Sequence, residues 1–253
     1  MNYTIRVCRT LDDLAACVSL QRTIWGYAEH ELYPMRLFVN LGRIGGHVLG
    51  AFSSGNQLVG FVGSMPAWHG RRRYLHSLSL GVLPEHENRG LGRTLKLAQR
   101  KAALRSGVDL IEWTFDPLRP KNAFFNIVRL GAIVRQYLPD YYGRVESRFQ
   151  RGLASDRLVA EWWLKSPRVR RALAGKDPRA AKTSPAAEVP VPGDIDSLVQ
   201  SQPRAALARQ TFVRRQFRKF FARELLITGF SKDDRGPRYL LDRAGEGGLP
   251  RQA

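Results

Sequence analysis

Cysteine is scarce: Cys8 and Cys17 are the only two in 253 residues, wrongly spaced for a metal knot and too few for a disulfide framework. Both read as packing residues. No apolar run reaches the length needed to cross a bilayer, and the first residues, MNYTIR, lack the hydrophobic stretch of a secretory leader. A cytoplasmic protein with no membrane partner is therefore expected. Acidic residues are also short, 22 Asp and Glu against 41 Lys and Arg, for a formal charge of +19. Such an excess suits a small molecule carrying several phosphates, a polyanion, or plain solvated charge. It is densest after residue 165, beyond the chemistry-bearing segments, so nucleic acid is disfavoured as a partner. Against these shortages stands an ordinary globular composition, 43% hydrophobic, in a chain long enough for one or two cores.

Periodicity gives the order of elements. Tyr3–Arg9 alternates as a strand, and Thr10 with Asp13 opens a helix carrying Leu11, Leu14 and Val18 toward Trp25. A short helix over Pro34–Leu41 precedes two strands, Gly46–Phe52 and Leu58–Ser64, joined by a Ser-Ser-Gly-Asn turn. A loop with Pro66 and Arg71-Arg72-Arg73 leads into the strand Tyr74–Leu83. Leu91, Leu95, Ala98 and Ala102 make one helical face, with Arg93, Lys96, Arg100 and Lys101 largely outside it. Val108–Phe115 reads as a buried strand, Asn122–Leu130 as a helix, and Ala132–Tyr137, Ser147–Gln150 and Leu158–Trp163 as strands. The expected fold is mixed α/β (α+β), a mostly antiparallel sheet with helices on both faces.

Domain boundaries follow from composition. Residues 1–165 form the main domain, 166–192 a basic Pro/Ala-rich linker, and 193–253 a C-terminal helix and hairpin that dock on the main domain or a second subunit, giving a homodimer. In the helix Ala205–Ala222, Phe212, Phe217, Phe220 and Phe221 interrupt a series of arginines. Inward phenylalanines and outward arginines explain that pattern better than nucleic-acid stacking.

The stretch Leu78–Thr94, LSLGVLPEHENRGLGRT, is the most informative. An alternating strand runs into Pro84, a polar turn, and a helix opened by Arg89-Gly90-Leu91-Gly92. A helix start offers unpaired N–H groups, and glycines without Cβ let a bulky diphosphate approach the main chain.

These residues resemble the GNAT acyltransferase superfamily over roughly residues 3–165. The resemblance rests on Val82-Leu83-Pro84 followed by Glu87-Asn88-Arg89-Gly90-Leu91-Gly92. A second element, Asn122-Ala123-Phe124 through Leu130-Gly131-Ala132, follows in order. It implies acetyl-CoA or another acyl-CoA such as succinyl-CoA as cosubstrate, with no metal. Leu80 and Val82 would flank the pantetheine arm, and Glu87, Asn88, Arg89, Gly90, Leu91, Gly92, Arg93, Thr94 and Asn122 would hold the phosphate end. The implied reaction is direct attack by a small-molecule amine, such as an amino acid, on the thioester. Two departures stand out: Glu87 replaces the usual Gln or Arg, and Ile127 replaces the tyrosine that often protonates the thiolate. Tyr141 or Tyr142 could reach in from the following loop, or water could serve, so the thiolate acid stays unassigned.

Glu112, a carboxylate inside an apolar strand, and Asp116 at its end are the candidate bases. His76, before the cofactor strand, could face the acceptor. Ser77 and Ser79 should both lie opposite Leu78 and Leu80. The rival reading is a CoA-binding fold without turnover that binds nucleic acid through its basic C-terminal part.

Overall fold

The computed structural model describes residues 2–143, 152–179 and 184–243, which divide after Trp113 into two compact units. The first contains β1 (Thr4–Val7), α1 (Leu11–Trp25), α2 (Met35–Arg43), β2 (His47–Phe52), β3 (Leu58–His69), β4 (Arg72–Val82), α3 (Leu91–Arg105) and β5 (Leu110–Phe115). Its strands lie in the order β1-β2-β3-β4-β5. All neighbours are antiparallel except β4 and β5, which run parallel.

Local chemistry sets these elements. The Thr10 hydroxyl accepts the Asp13 amide at 3.1 Å while the Asp13 carboxylate reaches back to the Thr10 amide, closing a capping box at the start of α1. Gly26, at φ +63°, ends that helix in the left-handed conformation. α1 and α2 cover one face of the sheet: a Cβ on Gly81 would meet Ile24 and Trp25, and one on Gly63 would touch Phe38 and Leu41. α3 covers the other, since a Cβ on Gly60 would press on Leu95. Phe38, Leu41, Phe61, Val62 and Leu95 are buried in the resulting core. Cys8 and Cys17 pack there as free thiols, their sulfurs 3.9 Å apart.

Pro66 does not sit in a loop. β3 runs through it to His69, where the hairpin to β4 turns. The β2 ladder ends at Ser64, so Pro66 lies on a free edge where its missing N–H costs no hydrogen bond.

The second unit contains α4 (Pro120–Ala123), a π-helical turn (Phe124–Arg129), β6 (Ile133–Leu138), β7 (Arg157–Trp163), α5 (Pro167–Leu173), β8 (Ala187–Pro190), α6 (Ile195–Ser201), α7 (Pro203–Phe221), β9 (Leu225–Asp233) and β10 (Gly236–Arg243). Its strands run in the order β7-β6-β9-β10-β8. The helix expected over Asn122–Leu130 widens after one α-turn, with Leu130 N–H bonding Phe125 O. The strand expected at Ser147–Gln150 lies outside the described residues.

Residues 166–192 are not simply a linker. Ser166 caps α5 by accepting the Val169 amide, Pro167 occupies its first turn, and residues 187–190 pair with β10. The C-terminal hairpin forms as read, and β9 also pairs with β6. On α7, Phe217 is fully buried against Tyr137, Phe221 and Tyr239, whereas Arg209, Arg215, Arg218 and Lys219 are exposed.

Candidate functional site

The corner between β4 and α3 is built from left-handed residues. Asn88 (φ +58°) and Gly90 (φ +79°) turn the chain so that the amides opening α3 face outward together. Among the described residues no side chain caps this helix start. A Cβ on Gly90 would meet nothing within 4 Å, and one on Gly92 would only touch Leu80 at 3.8 Å. Glu87, Asn88, Arg89, Gly90 and Thr94 are exposed, Gly92 and Arg93 half-buried, and Leu91 is an anchor in the core. The Thr94 amide and hydroxyl both bond Gly90 O, at 3.0 and 3.3 Å, so the amides turned outward precede Thr94.

β4 and β5 pair only at Leu75↔Ile111 and His76↔Glu112 among the described residues. Beyond that point the Ser77–Val82 edge of β4 runs toward the α3 corner without a β5 ladder. At the same place the β3 register jumps from Ser64↔Ser77 to Gly63↔Ser79, leaving Leu78 as the extra residue of a bulge. The bulge overturns the expectation that Ser77 and Ser79 share a face opposite the leucines. The Ser77 hydroxyl accepts hydrogen bonds from Lys96 and Gln99 of α3, at 3.0 and 3.1 Å, and Leu80 also lies on the α3 face beside Gly92. Ser79, two residues from Gly81, falls on the α1 face. Its hydroxyl is buried without a hydrogen-bond partner.

On the α3 face a polar row crosses the sheet. His47 Nε2 lies 3.0 Å from Ser64 Oγ, Ser64 is the register neighbour of Ser77, and Ser77 meets Lys96. Lys96 is 2% exposed, contrary to its expected place outside the buried stripe of α3. Its ammonium donates to Gln99 Oε1 at 3.0 Å and stands 3.7 Å from the Trp113 ring centre. Burial pushes its pKa well below the usual lysine value. The signal in the sequence was a second stripe at helical spacing, Lys96, Gln99 and Ala103, beside the leucines.

His76 and Glu112 are register partners where the two strands last pair. The Glu112 carboxylate is 7% exposed and lies 2.9 Å from His69 Nε2, whose ring stacks on Tyr74. Burial lowers the His76 pKa, with Lys96 adding to the effect, so this imidazole is neutral at pH 7.

Three sequence candidates belong to the second unit. Asp116 accepts the Leu118 amide at 2.8 Å and lies 3.3 Å from Arg119, which forks onto Asp196. Burial outweighs Arg119 and raises the Asp116 pKa. Asn122 is exposed on α4. Tyr141 is 50% exposed and packs edge-on against Tyr142, whose hydroxyl bonds Thr114. Ile127 is fully buried. No cluster of His, Cys, Asp and Glu suited to a metal occurs among the described residues, and no described helix is long and apolar enough to cross a membrane.

Residues 14–127 match the family model described as the acetyltransferase (GNAT) family. A structure from Desulfovibrio desulfuricans assigned to the GNAT acetyltransferases is 16% identical, with a TM-score of 0.51 over 64% of this chain and 99% of its own. The Salmonella typhimurium protein yncA, described as an acetyltransferase with its cofactor acetyl-CoA, is 19% identical, with a TM-score of 0.50 over 66% of this chain and 96% of its own. An Acinetobacter baylyi structure assigned as an acetyltransferase is 16% identical, with a TM-score of 0.51 over 66% of this chain and 94% of its own. At these identities the likeness concerns the fold. No curated protein matches the chain at a significant level.

Proposed function

From the match of residues 14–127 to the acetyltransferase (GNAT) family model, we propose that the chain is an N-acyltransferase that moves a short acyl group from acyl-CoA to the amine of a small molecule, an amino acid being one such acceptor. The observation that carries this reading is an open anion corner that continues directly into an unladdered strand edge.

The residues fit such a cosubstrate. No described residue beyond its chain neighbours comes within 4 Å of where a Gly90 Cβ would stand, and the amides entering α3 add the positive end of the helix dipole to any diphosphate there. Arg89 and Arg93, on either side of Gly90 in the sequence, add positive charge to that stretch. The β4 edge from Ser77 to Val82 supplies main-chain donors and acceptors to an extended amide-bearing arm. The bulge at Leu78 turns backbone away from the β3 ladder, leaving an amide to polarise the thioester carbonyl and steady the oxyanion. The orphan hydroxyl of Ser79 next to it is the kind of buried group a ligand satisfies.

Glu112 is assigned as the base for the attacking amine. It is buried in the strand, and the contact with His69 Nε2 at 2.9 Å keeps its carboxylate oriented. The neutral imidazole of His76 shares that strand position and lines the acceptor side. Acetyl-CoA bound to the yncA relative supports the choice of donor.

The test is calorimetry with CoA on the wild type and on Gly92→Val. The valine keeps the helix start intact, since Gly92 is not in the left-handed region and its neighbour stands at ordinary contact distance. CoA affinity is expected to fall by about ten-fold or more, one lost charge-assisted contact being worth roughly 1.5–3 kcal/mol. Equal affinity in the two proteins would show that the α3 corner does not hold the cosubstrate.

A further inference from the structure

Lys96 is a buried amine with no carboxylate bonded to it among the described residues. Its Nζ bonds Ser77 Oγ and Gln99 Oε1, both neutral, and the face of Trp113 completes its surroundings. The titratable groups near it offer no negative charge: His47 from β2 and His76 from β4 are neutral imidazoles whose pKa values burial lowers, Lys96 adding to the effect. A cation held in this way costs stability that a methionine of similar volume would not.

Its position gives the cost a purpose. Ser77 follows the last residue of β4 that pairs with β5, and Trp113 follows the last residue of β5 that pairs with β4. Nζ therefore bridges the two strands at the fork, beside the Leu78 bulge. Negative charge develops there if the thioester reacts at that point.

Resting on the acyltransfer reading above, we propose that Lys96 is the acid for the departing CoA thiolate, the role that buried, apolar Ile127 does not fill. The acceptor nitrogen bonds the carbonyl carbon, and the carbon–sulfur bond breaks with its electron pair on sulfur. Lys96 Nζ supplies a proton to that sulfur, Glu112 takes the surplus proton of the acceptor nitrogen, and solvent restores both groups. Burial makes Lys96 a stronger acid than an ordinary lysine, so its ammonium gives up a proton to the forming thiolate more readily.

The experiment titrates the thiol of bound CoA by its ultraviolet thiolate absorbance, alongside calorimetry and steady-state kinetics. In the wild type the bound thiol is expected to ionise about one pH unit below free CoA, the effect of a nearby cation. In Lys96→Met it should ionise as free CoA does, and kcat should drop about 100-fold with the acyl-CoA KM within about two-fold. The variant should fold, because the Gln99–Ser77 hydrogen bond at 3.1 Å survives it. Should it not, the wild-type titration decides alone. Heat of CoA binding with an unshifted thiol overturns this role and leaves the acyltransfer reading standing. No heat of binding overturns both.

Discussion

His47 illustrates how a residue on a sheet takes its properties from the opposite layer. It lies on β2, bonded to Ser64, and burial together with Lys96 and Arg105 draws its pKa down to about 4. The unfolded chain binds this proton near pH 6.5, the folded chain only near 4, so the unfolded state is the better proton acceptor between those values. Stability that is complete above pH 6.5 is lost as the pH falls through that window, by roughly 3 kcal/mol at most at about 1.4 kcal/mol per unit. His47→Gln is expected to flatten the dependence of the urea midpoint on pH between 7 and 4.5. Parallel slopes in variant and wild type would mean that the imidazole is hydrated in the folded state. Neither His47 nor Lys96 could be assigned to this row from the sequence. A lysine beside Leu95 reads as solvated until the register of β3 and β4 brings Ser77 beneath it.

At the scale of elements, legibility tracked how local the cause was. The capping box of Thr10 and Asp13 was readable because both partners lie within one turn. The Gly90 helix start and the β9–β10 hairpin were readable for the same reason. The bulge at Leu78 was not, since a register jump is a property of two strands and leaves no mark on one. Residues 166–192 misled because Pro and Ala content outweighed the Ser166-Pro167 cap, a helix signal two residues long. The start of α1 offers a direct check. Arg6 forks onto the Asp13 carboxylate at 2.6 and 2.9 Å, so Asp13 stays fixed even when its capping partner is lost. Thr10→Ala should then cost about 1 kcal/mol, the usual worth of an N-cap hydroxyl. The readout is the denaturant midpoint at constant slope. A loss near zero would show that Asp13, held by Arg6, satisfies the helix start without the hydroxyl.

The charge of +19 belongs to the whole molecule. Much of it sits where no chemistry is proposed, as on the exposed side of α7 with Arg209, Arg215, Arg218 and Lys219. A positive field of this size draws polyanions from a distance, and it acts on the rate of encounter more than on the lifetime of the complex. CoA carries several phosphates, so its association rate should fall as salt shortens the screening length from about 10 Å at 0.1 M to about 3 Å at 1 M. Its dissociation rate, set under the proposed function by contacts at the α3 corner, should change little. Stopped-flow mixing at several ionic strengths separates the two. A nucleic-acid reading predicts something else: duplex affinity that drops steeply with salt, a slope reporting several displaced counterions, and no competition from CoA. Salt-sensitive CoA association with weak, nonspecific duplex binding would assign the charge to steering. Tight duplex binding at physiological salt, indifferent to CoA, would give the basic surface a function separate from acyl transfer.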